Sequence, residues 1–282
     1  MSLHKTKPKK EAIRHSIRSQ RLYSVGIISI PHKPRYSHIM KSYVDWFENR
    51  GIRVVPIPYD SHDIEELFHT VNGLVIPGGD MPYIMDNPQF ISNITKIFEL
   101  SLEKKEYFPI WGTCFGFEML LFLVGGFTTL KGYDAHGFYP MKITDEGHSS
   151  RMMRSFSKEY KVYLEKKKST MQNHAYGISV EDFMSNLHLR RFYTILATSV
   201  DNSGKEYICA IEAKSYPIYG VQFHPERQKT AGAFADFFIS ELKKNKHRST
   251  KIPSMSSYLS VHKCMEYRET KKLPCYLFSS TF

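Results

Sequence analysis

Tyr107-Phe108-Pro109-Ile110-Trp111-Gly112-Thr113-Cys114-Phe115-Gly116-Phe117-Glu118 is the stretch on which the reading of the whole chain turns. Phe108–Trp111 reads as a short buried strand, and Cys114–Val124, apolar almost throughout, reads as a helix. Between them stands Gly-x-Cys-x-Gly. A strand that turns directly into a helix exposes the side chain at the turn, at the strand's carboxyl end, which is the geometry of a nucleophile elbow. Glycines at 112 and 116 allow a strained turn and close approach of neighbouring backbone. The helix amino terminus carries partial positive charge, so the Cys114 thiolate is expected to be favoured there. The plainer reading is a structural cysteine between turn glycines. The glycine pair and the strand-to-helix setting together favour a nucleophile.

Upstream, strands alternate with helices. Tyr23–Ile30, Ile52–Ile57 and Gly73–Ile76 are apolar and rich in β-branched residues, the last stopped by Pro77-Gly78-Gly79. Ser37–Asn49, Ile64–Thr70 and Ile91–Lys104 carry helical spacing, with Gly51 placed as a C-cap for the first. That alternation implies parallel βαβ units. Downstream the pattern changes. Met141–Ile143, Tyr160–Leu164, Thr194–Ser199, Ile208–Glu212 and Ile218–Gln222 read as strands with fewer helices between them, and a last helix spans about 230–243.

A cysteine nucleophile needs a base and a group to orient that base. Tyr219-Gly220-Val221-Gln222-Phe223-His224-Pro225-Glu226 offers both at a strand end. His224 can accept the thiol proton, and Glu226, two residues on, points the same way along an extended segment. Most of the thirteen histidines read as surface residues; His224 is set apart by its strand-end position and its carboxylate neighbour.

The net charge of +11 suggests nucleic-acid binding until it is located. Residues 1–22 hold seven Lys/Arg against Glu11, and 243–282 hold nine against Glu266 and Glu269, which leaves −2 for 23–242. The body is near neutral and the ends are basic, so solvated tails are expected and nucleic-acid binding by them is not. The four cysteines, Cys114, Cys209, Cys264 and Cys275, form no CxxC pair and no zinc spacing, and a disulfide framework is not expected. No apolar run approaches the roughly 18 residues of a membrane helix. The amino-terminal segment has no apolar core of a secretory signal, so a cytoplasmic location is expected, with mitochondrial targeting by the basic arm as the alternative.

Gly112-x-Cys114-x-Gly116 followed downstream by His224-Pro225-Glu226 resembles the class I glutamine amidotransferase-like superfamily, and within it the γ-glutamyl hydrolases, which trim folate polyglutamates. The resemblance runs from about 23 to 244 and takes in Val71–Gly79, Tyr107–Glu118, Asn173–Ser179 and Tyr216–Glu226. It implies that Cys114 is the nucleophile, His224 the base and Glu226 its orienting partner. It places the backbone N–H groups of Gly79 and Phe115 in the oxyanion hole and His174 over the substrate. Glu118, one helical turn after Cys114, would reach the pocket; many amidotransferases have Gln there, and Glu favours the hydrolase branch. No metal or organic cofactor is implied. The chain departs from the family in the short Arg227–Thr230 connection after His224-Pro225-Glu226, in lacking a signal-like start where the family is usually lysosomal or secreted, and in its tail.

The expected fold is α/β: a flavodoxin-like three-layer sandwich with a mostly parallel central sheet, helices on both faces and an antiparallel extension. Residues 1–22 are read as a basic arm, 23–243 as the hydrolase domain and 244–282 as a mostly disordered basic tail. The site belongs at the carboxyl ends of the strands. Arg35 and Tyr36, in the loop after the first strand, are candidates for binding substrate α-carboxylates, with a solvated charge and a packing residue as the plain alternatives. The expected reaction is acyl transfer from a small-molecule γ-glutamyl substrate to water. A homodimer is left open. Two rivals stand beside this reading: an amidase for glutamine or another small γ-glutamyl compound, and a non-catalytic binding protein with basic tails.

Overall fold

The central sheet is built outward from β1 (Ser24–Ile28), whose five residues are all buried. β1 lies between β4 (Arg53–Ile57) and β5 (Leu74–Ile76), parallel to both; β5 continues to β6 (Ile110–Thr113) and β6 to β12 (Ile218–Val221), again in parallel. β11 (Glu206–Ala213), β10 (Tyr193–Val200) and β8 (Lys142–Ile143) then extend the sheet antiparallel, giving the order β4-β1-β5-β6-β12-β11-β10-β8. The computed structural model describes residues 22–32, 36–80, 84–103, 106–126, 130–247, 255–257, 259–264 and 271–279.

Side chains alternate across this sheet, and each face has its own core. Val25, Ile27, Val75, Trp111 and Tyr219 belong to one apolar cluster, with Trp46 and Phe47 of α1 (Lys41–Glu48) and Phe234 and Phe238 of α10 (Gly232–Leu242). Ile28, Leu74, Ile76, Ile110 and Ile218 belong to the other, with Phe68 of α2 (Ile64–Thr70), Phe90 and Ile94 of α3 (Pro88–Ser101) and Phe117 and Leu120 of α4 (Phe115–Gly125). Trp111 is the hinge of the first cluster, with its ring 5.7 Å from Trp46 and 5.6 Å from Phe238. The expected three-layer α/β sandwich is what forms, and no helix among the described residues is long and apolar enough to cross a membrane.

Several elements differ from the sequence reading. Tyr160–Leu164, read as a strand, lies in helix α7 (Lys158–Lys166). Ser157 caps that helix by accepting from the Tyr160 N–H at 3.1 Å, and the helical spacing of Tyr160, Tyr163 and Leu164 outweighs their β-propensity. Ser37–Met40, read as the start of a helix, forms β3 (Tyr36–Met40). An antiparallel two-stranded ribbon of β7 (Lys131–Tyr139) and β9 (Thr170–Gly177) was not expected, because β8 and three helices separate its strands in the chain and both strands are rich in polar residues.

The tail departs most from expectation. Among its described residues are β13 (His262–Cys264) and β14 (Leu273–Ser279), joined by a disulfide between Cys264 and Cys275. β14 pairs antiparallel along β3, from Cys275 opposite Met40 to Ser279 opposite Tyr36, in a four-stranded sheet β13-β14-β3-β2, where β2 is Ile30–Pro31. This long-range pairing is what turns Ser37–Met40 into a strand, and the disulfide corrects the expectation of none. The chain beyond α10 is also tied to the body through Asn72, whose amide donates to the Asn245 side chain at 3.0 Å and to the His247 carbonyl at 2.9 Å. Of the amino-terminal arm only Leu22 lies among the described residues.

Candidate active site

β6 ends at Thr113 and α4 begins at Phe115, so Cys114 alone makes the turn. Its φ is 54° and ψ −109°, and among the described residues no other non-glycine has positive φ. Such a conformation costs on the order of 1–3 kcal/mol and is held by its surroundings. Those surroundings need the two glycines for space: a Cβ on Gly116 would lie 2.0 Å from the Ile76 carbonyl oxygen, and one on Gly112 2.5 Å from that of Gly116.

His224 follows β12, with its N–H on the Met171 carbonyl at 2.8 Å. Pro225–Arg227 forms a 3-10 turn rather than the extended segment expected, and the turn brings Glu226 back onto His224. His224 Nδ1 lies 2.8 Å from Glu226 Oε1, and both side chains are buried. With the carboxylate accepting, Nδ1 carries the proton and Nε2 is the basic nitrogen. Arg227 Nε lies 3.5 Å from the same oxygen. Gly78 brings His224 and Cys114 to one point: a Cβ there would lie 2.8 Å from His224 Cε1 and 3.4 Å from Cys114 Cβ.

Gly79, Cys114, Glu118, Asn173 and His174 line one cavity of about 20 Å³, hardly more than a single water occupies. His174 is buried on β9 with Nδ1 2.7 Å from the Tyr176 carbonyl, which can only accept, so this nitrogen holds its proton. The Cys114 thiol points at the Asn173 carbonyl, 3.9 Å away. Among the sequence candidates, Tyr36 stands apart at the start of β3, 47% exposed and outside the lining of this cavity. Arg35 lies outside the described residues. Two neighbours went unassigned in the sequence: Gln222, whose amide donates to Glu118 Oε1 at 3.0 Å, and Asn173, although each stands in a motif quoted for the resemblance. Among the described residues no group of three or more His, Cys, Asp or Glu is placed to hold a metal ion.

Burial pushes the Cys114 thiol up, and the Glu118 charge pushes it further; Arg227 and the Phe115 N–H act the other way without reversing the shift. The helix terminus thus does not by itself yield a resting thiolate, and proton transfer to a base is needed. Burial also raises Glu118 to about 8, against a smaller lowering by Gln222. At neutral pH Glu118 is therefore mostly uncharged, which limits its repulsion of a thiolate. The shift has a consequence for stability. Folded Glu118 holds its proton to about pH 8 and the unfolded group only to its ordinary 4.5, so its contribution is complete below about pH 4.5 and is lost as pH rises toward 8. Glu118→Gln should therefore gain in melting temperature relative to the parent as pH goes from 5 to 8 and level off above. A difference in melting temperature that stays flat across this window would show that Glu118 titrates normally.

The family model for glutamine amidotransferase class-I matches residues 35–240. Gamma-glutamyl hydrolase B of Dictyostelium discoideum is 30% identical over 271 residues, covering 87% of this chain and 78% of that protein. The Homo sapiens gamma-glutamyl hydrolase is 35% identical over 235 residues, covering 74% of this chain and 72% of that one. The crystal structure of a putative GMP synthase component from Thermoplasma acidophilum superposes with a TM-score of 0.57 at 18% identity, over 80% of this chain and 96% of that structure, which supports the fold. A class I glutamine amidotransferase fold, with a cysteine at its strand-to-helix turn and relatives at this identity over most of their length, places the chain in the γ-glutamyl hydrolase family.

Proposed function

We propose that this enzyme hydrolyses the γ-glutamyl bonds of folate polyglutamates through a thioacyl intermediate on Cys114. The observation that carries the reading is the meeting of Cys114 with the His224–Glu226 pair around Gly78. His224 Nε2 takes the thiol proton, and the thiolate attacks the γ-amide carbonyl carbon. The resulting oxyanion is met by the N–H groups of Gly79 and Phe115, donors typically worth about 2.7–4 kcal/mol each to a transition state. His224 then gives its proton to the leaving amine as the C–N bond breaks. Water, deprotonated by His224, cleaves the thioester and frees the thiol.

A second space suits the substrate class. A groove of about 700 Å³ has Glu226, Arg227, Lys41, Arg50 and Lys229 in its wall, with Trp46 and Leu273 as apolar surface. Cys114 is not part of that wall; the groove meets the reacting groups through Glu226. A polyglutamyl chain carries one free α-carboxylate per residue, and cations on this wall suit such a chain better than free glutamine, although within the protein Lys41 already pairs with Asp45 and Arg50 with Asp236. Folate pentaglutamate incubated with the protein should give shorter folyl glutamates by mass spectrometry, without ammonia from glutamine. Ammonia release from glutamine with the pentaglutamate intact would favour the amidase reading instead.

A further inference from the structure

Gly78 and Gly79 end the β5 connection as two consecutive glycines, the most permissive backbone a chain can have. An oxyanion donor works only when its N–H is fixed before the charge develops. Something must therefore hold this pair. Tyr43 is fully buried on α1, and its hydroxyl oxygen accepts the Gly78 N–H at 2.8 Å. Its hydroxyl oxygen also lies 3.3 Å from where a Gly78 Cβ would stand, at the point where His224 and Cys114 converge. The charges of Glu226, Arg227 and Cys114 all act on that hydroxyl. With the Gly78 N–H committed to Tyr43, the next N–H, that of Gly79, has no partner among the described residues and belongs to a residue lining the Cys114 cavity.

We infer that Tyr43 is a positioning residue of the hydrolysis: its hydroxyl pins Gly78, and so fixes the Gly79 N–H toward the oxyanion. The inference rests on the proposed thioacyl chemistry. It separates Tyr43 from the catalytic residues, because its hydroxyl touches backbone and acts on the reacting atoms through Gly79. The sequence offered no sign of this role, since Tyr43 reads there as one more apolar position on a helix.

Tyr43→Phe keeps the ring in the core and removes only the oxygen. Two reactions of Cys114 tell positioning from general disturbance. Hydrolysis of a γ-glutamyl amide passes through an oxyanion; alkylation by iodoacetamide displaces iodide at a saturated carbon and does not. In Tyr43→Phe, kcat should fall about 10- to 100-fold with KM within about twofold, as expected when a donor of this kind is misplaced rather than deleted. Alkylation of Cys114 should stay within about twofold of the parent rate. Affinity for a γ-glutamyl aldehyde, whose thiol adduct carries the same oxyanion, should fall by about the factor lost from kcat. Equal losses in hydrolysis and alkylation would reduce Tyr43 to a structural role, and an unchanged kcat would remove it altogether. A parent protein inactive on γ-glutamyl substrates would overturn the proposed chemistry and this inference with it, whereas an active parent beside an unimpaired Tyr43→Phe would overturn the inference alone.

Discussion

Cys114→Ala should lose γ-glutamyl hydrolysis by at least about 10⁴-fold while keeping the fold. Removing a nucleophile that acts together with its base typically costs on the order of 10⁶ in kcat, and what remains comes from binding and the oxyanion site. The loss should lie in the chemical step, so folyl polyglutamate should still bind the inactive variant. Stability should change little, because Ala meets the same strain at φ 54° as Cys does. Cys114→Gly, free of that strain, should be equally inactive yet more stable than Cys114→Ala by about 1 kcal/mol. Activity is measured by product analysis and stability by denaturant titration. Turnover by Cys114→Ala at the parent rate would remove the thioacyl mechanism; a Cys114→Gly no more stable than Cys114→Ala would remove the argument from strain.

Glu226→Gln should lower kcat by about 10³- to 10⁴-fold near neutral pH with little change in KM. The side chain is fully buried, and its Oε1 fixes which nitrogen of His224 carries the proton. An amide keeps the shape but can present its N–H to the ring, stabilising the tautomer with Nε2 protonated, which cannot accept the thiol proton. It also removes the negative charge beside Arg227 and the imidazolium that forms during the reaction. Steady-state kinetics on one polyglutamyl substrate decides the matter, and a loss below about tenfold would mean that His224 is oriented by something else.

The parts of the molecule that could be read from sequence are those whose information is local. Gly112, Cys114 and Gly116 announce their turn because a side chain at either glycine would collide with backbone. In the first half the parallel strands β1, β4, β5 and β6 read correctly because each is a short, largely apolar run, whereas β3 owes its form to distant partners and did not. The ribbon that carries His174 was missed because β9 is polar even where it is buried and so has no apolar run to mark it, although Asn173-His174-Ala175-Tyr176-Gly177 did stand out as a motif. Tyr160–Leu164 was misread because aromatic and β-branched residues suit a strand locally, while the capping serine that decides for a helix lies three residues earlier. The 3-10 turn at Pro225–Arg227 shows a further limit: the partnership of His224 and Glu226 was visible in the sequence, but not the backbone bend that creates it. Tyr43 and Gln222 reach the site only through Gly78 and Glu118, and such indirect contacts leave no composition or spacing behind them.

The carboxyl-terminal strand has a consequence for the solubility of the whole molecule. β14 covers β3 over five backbone positions, and β2 covers part of its other side. A chain ending at α10 would leave that row of β3 amides and carbonyls bare, and a bare edge recruits strands from neighbouring molecules. The last segment thus guards an edge as well as extending a sheet. β14 pairs with β3 along its backbone and buries Cys275 and Tyr276 in the adjoining core, and the same segment could make both sets of contacts on a second copy, which is the geometry of a domain swap. The Cys264–Cys275 cross-link closes the segment into a compact flap and disfavours such an exchange, so a reducing solution makes intermolecular strand exchange easier without touching Cys114.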